Sequence, residues 1–124
     1  MQKNERNAEI QIKGLKELAN LALHENIHVK IATAGGINAI LSAMTTHLSN
    51  ANVQHFGCAA LRRLALNENN NTTIAEAGGI STILSAMKSH LDNAVVQQHG
   101  CAALSNLTFN DEKHLIYRYQ YTLD

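Results

Sequence analysis

Apolar residues along this chain recur at spacings of one, three and four, the interval that builds one face of an α-helix. Ile40, Leu41, Met44 and Leu48 form one such face, and Val53, Gly57, Ala60, Leu61 and Leu64 form a second. The same two faces then recur as Ile83, Leu84, Met87 and Leu91, followed by Val96, Gly100, Ala103, Leu104 and Leu107. The pattern predicts helix throughout, with glycine and alanine on the buried stripes permitting close helix approach. Leucines supply most of the apolar area, each contributing roughly 1.5–3 kcal/mol when buried.

The recurrence is a true internal repeat. Ile31 to Asn67 realigns with Ile74 to Asn110 at a constant offset of 43 residues and without a gap. Gly35 pairs with Gly78, His47 with His90, Gly57 with Gly100 and Cys58 with Cys101. A weaker copy lies upstream at the same offset, where Gly14, Leu18, Leu21, Ala22 and Leu23 match Gly57, Leu61, Leu64, Ala65 and Leu66. Periods of this length mark arrays of small stacked units.

Each full copy divides into three helical stretches. A short one, from about Asn67 to Ala77, ends at Gly78-Gly79, where the chain must turn at positive φ. A second begins near Ile80, and a third follows Asn93, a good N-cap residue. The chain then reads as residues 1–24, the third helix of a partial copy; 25–67 and 68–110, two complete copies; and 111–124, a C-terminal remnant or tail. After Asn110 a new first helix could start at DEKHLI, but no Gly-Gly follows. The end, IYRYQYTLD, holds all three tyrosines. A capping extension, a docking strand and a disordered tail stay open for it.

Composition agrees with helix: Ala, Leu and Ile dominate, aromatics are 4% and proline is absent, so nothing interrupts the backbone ladder. Ten basic and ten acidic residues give zero formal net charge, which removes the electrostatic term behind nonspecific nucleic-acid binding. No apolar run approaches the roughly 20 residues that span a bilayer. The N-terminus MQKNERNAEIQIKG has no signal-peptide core, and the expected compartment is reducing: cytoplasm, with nucleus or cytoskeleton as alternatives.

Candidate chemistry is sparse. His55 with Cys58 and His99 with Cys101 offer short spacings for a metal, but the spacings differ between the copies. Equivalent residues in successive packed helices also lie about 10 Å apart, too far to share a zinc ion or the ~7 Å Cα separation of a disulfide. Cys58 and Cys101 are expected to be small buried core residues. His47 and His90 are expected near the end of the second helix, where histidine suits the dipole. No Gly-x-Ser-x-Gly elbow and no phosphate-loop motif occurs. The expectation is a non-enzyme with no cofactor and no metal.

Short helix, paired glycine, two longer helices and a period slightly above 40: IATAGGINAILSAM, IAEAGGISTILSAM and GCAALSNL closely resemble the armadillo repeat. The resemblance covers most of the chain. It implies a right-handed α-solenoid, an α-α superhelix of three-helix repeats, whose third helices line the concave side. Where the family often has proline after Gly-Gly-Ile, Asn38 and Ser81 stand here. Peptide-binding members resemble W-A-L-S-N along the third helix. In this sequence the tryptophan position falls on Lys16, Ala59 and Ala102, and the asparagine position on Asn20, Arg63 and Asn106. The stacking slots for a basic peptide are therefore missing, and Arg63 favours an acidic partner.

Residues four apart share a helix face, so the third-helix ridge carries the rows Ile12-Lys16-Asn20, His55-Ala59-Arg63 and Gln98-Ala102-Asn106. The expected partner-binding residues are Lys16, Asn20, His55, Ala59, Arg63, Gln98, Ala102 and Asn106, the alanines leaving room for a partner chain. The functional expectation is a protein–protein interaction module, a scaffold or assembly subunit. The alternative is a transport adaptor recognising linear localisation peptides. Two complete repeats are few for such an array, so end-to-end self-association, burial in a larger assembly or membership of a longer array is expected.

Overall fold

A computed structural model describes the backbone of residues 2–24, 27–33 and 35–122, and the side chains of 7–24, 27, 29–32 and 35–108. The described residues form helices joined by short turns, with no strand among them. In chain order these are α1 (Gln2–Leu21), α2 (His28–Thr33), α3 (Gly36–Thr46), α4 (Ala51–Leu64), α5 (Glu68–Glu76), α6 (Gly79–Ser89) and α7 (Ala94–Thr122). None is long and apolar enough to cross a membrane among the described residues.

Local signals set the boundaries. Asn50, Asn67 and Asn93 each accept a hydrogen bond at 3.1 Å from the N–H three residues on, at Val53, Asn70 and Val96. Such caps satisfy one of the donors that a helix start leaves orphaned. Gly35 and Gly78 sit at φ 84° and 87°, in the left-handed region that only glycine enters cheaply. Each turns the chain between a short helix and the longer one after it. His47 and His90 follow as the C-terminal caps of α3 and α6.

The two copies then repeat one another's tertiary bonds. Gln54 Nε2 donates to the carbonyls of Met44 (3.0 Å) and His47 (2.9 Å), tying the start of α4 to the end of α3. Gln97 Nε2 does the same for Met87 and His90, both at 2.9 Å. Between copies, α1 packs along α4, α4 along α7, and α3 against α6. Ile40, Met44, Val53, Leu61, Leu64, Ile74 and Ile83 are fully buried in the shared core. Gly57 explains one tight approach: a Cβ there would stand 2.5 Å from Met44 Cγ. His90 Nε2 donates across the copies to Leu48 O at 2.8 Å.

Equal residues are unequally covered, and two expectations change. Leu41 is 7% exposed whereas Leu84, its counterpart, is 42% exposed. Leu91 is also exposed, at 73%, so the expected buried face Ile83, Leu84, Met87, Leu91 holds fully only at Ile83. Cys58 is buried but Cys101 is exposed, against the expectation that both sit in the core. The reason is positional. Helices α6 and α7 lie over the first copy, and among the described residues nothing lies over the second. The break expected at Asn110 also does not occur. Helix α7 runs on to Thr122, since no glycine or proline follows Gly100 to stop it. The tyrosine side chains lie outside the described residues.

Candidate functional site

Helices α1, α4 and α7 lie side by side, and one strip of side chains crosses all three. Lys16 of α1 places its Nζ 5.1 Å from the centroid of the Phe56 ring of α4, a cation–π arrangement. The Phe56 ring stacks on His55 with centroids 4.2 Å apart and planes at 12°. His55 stacks in turn on His99 of α7, at 5.2 Å and 13°. Arg62 of α4 closes the strip, its Nη1 3.4 Å from His99 Nδ1. A guanidinium only donates, so Nδ1 is the acceptor and the His99 ring is neutral in this contact.

The electrostatics of the strip are one-sided. Partial burial, and then the Lys16 ammonium, hold His55 below the ordinary histidine range. Burial likewise lowers His99, followed by the positive charge of His55, Arg62 and Arg63. Among the described residues, no carboxylate is among the groups that shift either ring.

Beside the strip, α4 and α7 frame a groove of about 500 Å³ lined by Leu23, Arg62, Arg63, Leu66, Ala102, Ser105 and Asn106. Leu23 and Leu66 occupy the same repeat position and are 62% and 64% exposed. They add apolar surface to the groove that the two arginines line.

The expected residues fare differently. Lys16 and His55 meet in the strip through Phe56. Arg63, Ala102 and Asn106 line the groove. Asn20 and Gln98 are exposed on α1 and α7. Ala59, by contrast, is only 3% exposed and offers a partner almost no surface, because neighbouring helices close over it. Arg63 and Asn106 also have an internal task. Arg63 Nη1 donates to Ala19 O, and Asn106 Nδ2 donates to Arg62 O at 2.9 Å. Each reaches back to the preceding third helix, so both staple one copy to the next.

Phe56, Arg62 and His99, with Leu23, Leu66 and Ser105, were not foreseen as site residues. A signal existed for two pairs. Phe56 and His99 share one position of the repeat, each beside its glycine, and Leu23 and Leu66 share another. Compared with known protein families, with characterised proteins and with solved structures, the chain finds no match.

Proposed function

We propose that this chain is a segment of an armadillo-type α-solenoid and a non-catalytic interaction module, holding a partner protein along its third-helix ridge. The observation that carries this reading is the strip from Lys16 through Phe56, His55 and His99 to Arg62, with the groove beside it. It spans three successive third helices, and of its side chains only Phe56 also packs against the core cluster that holds the fold together. Buried cores need no such ribbon of charge and aromatic rings, whereas binding surfaces favour arginine and aromatic anchors. The solenoid part of the reading is supported by the repeated Gln54 and Gln97 clasps and by the staples from Arg63 and Asn106, each reaching back to the helix before it.

The uneven coverage of equal residues supports a role as assembly subunit. Leu84 and Cys101 are exposed where their counterparts Leu41 and Cys58 in the first copy are buried, and Leu91 is 73% exposed. On light scattering, Leu84→Glu with Leu91→Glu should abolish any concentration-dependent association of the chain.

Site-directed photo-cross-linking tests the ridge. A cross-linker placed at Lys16, Gln98 or Ser105 should trap the partner in cells, and one at Thr72 or Ser85, exposed on α5 and α6, should not. Trapping that favours the α5 and α6 positions would reject the ridge as the binding surface. Single exposed positions are chosen because replacing Arg63 or Asn106 would also cut a staple between repeats.

A further inference from the structure

Resting on the ridge reading above, we propose that the strip and its groove bind an acidic peptide segment carrying an apolar residue, and that the paired histidines tighten this capture as the medium acidifies. The charge is the first argument. The groups that face the two rings are Lys16 from α1, Arg62 and Arg63 from α4, and each ring from across the α4–α7 seam. All are cationic or become so, and the groove lining adds no carboxylate. The chain as a whole carries no net charge, so this is a local field and not a general excess of base. An anion laid here meets a local cluster of positive charge, which steers and selects partners.

The groove supplies the second argument. Leu23 and Leu66 present exposed apolar side chains in the same groove as the arginines. That combination suits a peptide with carboxylates and an aliphatic or aromatic residue. A nucleic-acid backbone would leave the leucines unused.

The third argument is the coupling between His99 and Arg62. The 3.4 Å contact needs a neutral ring with a lone pair on Nδ1. Protonation of His99 removes that acceptor and sets two cations against each other. An arriving carboxylate reverses the conflict, because it stabilises the imidazolium and accepts from the released Arg62 guanidinium. Protons and peptide therefore bind together. Affinity rises as pH falls through the histidine range and is flat above it.

The probe is a fluorescein-labelled decapeptide of alternating glutamate and leucine, followed by anisotropy from about pH 7.5 to about pH 5.5, where glutamate stays ionised. A one-unit rise in the pKa of one imidazole on binding corresponds to about tenfold tighter binding on the acid side. The expected result is at least that gain, with ring-proton NMR shifts confined to His55 and His99. His55→Gln with His99→Phe borrows the residues that the other copy carries at these positions, Gln98 and Phe56, which keeps the folding risk low. This variant should bind at neutral pH and lose the acid gain. Arg62→Ser, borrowed from Ser105, should weaken binding throughout.

Equal binding of a glutamine–leucine peptide would overturn the proposal, as would an undiminished pH response in the double variant. Tighter binding of an oligothymidine would overturn it in favour of nucleic acid. No binding of the acidic probe, alongside ridge cross-links to a cellular partner, would sink the acidic specificity and leave the ridge standing. Cross-links at the α5 and α6 positions would sink both.

Discussion

Gly14, Gly57 and Gly100 share one position of the 43-residue repeat, yet alanine should act differently at each. A methyl at Gly57 would stand 2.5 Å from Cγ and 2.6 Å from Sδ of Met44, well inside van der Waals contact. At Gly100 the corresponding atoms of Met87 would both lie at 2.7 Å, and at Gly14 nothing lies within 4 Å. Helix propensity favours alanine over glycine by about 1 kcal/mol at all three. Overpacking opposes this by about 1–3 kcal/mol where a neighbour must shift. Met44 is fully buried and its thioether has nowhere to go, whereas Met87 is half-buried and can swing outward. The balance predicts that Gly14→Ala stabilises by about 0.5–1 kcal/mol, Gly100→Ala is near neutral, and Gly57→Ala destabilises by up to about 2 kcal/mol. Urea unfolding followed by far-UV circular dichroism reads all three. For a chain of this size, about 1 kcal/mol moves the thermal midpoint by roughly 3–6 °C. If Gly57→Ala proves as stable as Gly14→Ala, the packing of α3 onto α4 through Met44 is wrong. A Gly14→Ala loss of about 1 kcal/mol or more would mean that α1 has a close neighbour over its glycine.

Further outcomes follow from the same paired positions. Gln54→Leu strips two helix carbonyls of their donor at a fully buried site and should cost about 2 kcal/mol. Gln97→Leu, half-buried and open to water, should cost roughly half as much; equal losses would contradict the uneven coverage of the copies. Burial pushes the Cys58 thiol up to about 12, so mildly alkaline iodoacetamide should alkylate exposed Cys101 alone until the chain unfolds. Mass spectrometry showing two modified thiols in the native protein would refute this. Because both strip histidines are depressed in the fold, the unfolded chain takes up more protons as pH falls. Their stabilisation is full above the ordinary histidine range and lost as pH drops through their lowered values. The thermal midpoint should therefore fall between about pH 7 and pH 5, and His55→Gln with His99→Phe should flatten part of that slope.

Much of the fold was legible in the chain because the signals are short-range. Helical spacing, the asparagine caps at 50, 67 and 93, and the turn glycines at 35 and 78 act within a few residues of themselves. The constant offset of the repeat likewise set the phase of the third helices, and together with the armadillo resemblance it pointed to Lys16, His55, Arg63, Ala102 and Asn106. Coverage was not legible. Leu41 and Leu84, or Cys58 and Cys101, stand in the same local pattern and differ only in what packs over them. The strip was beyond reach for a related reason. Whether Phe56 leans on Lys16, and His55 on His99, depends on how far each third helix slides along its neighbour. Nor does register tell a donor aimed at solvent from one spent on a carbonyl in the preceding helix, as Arg63 and Asn106 spend theirs. Local periodicity dictated the rods and their phase; the contacts between rods, set by axial offset and by which faces are covered, came only with the tertiary structure.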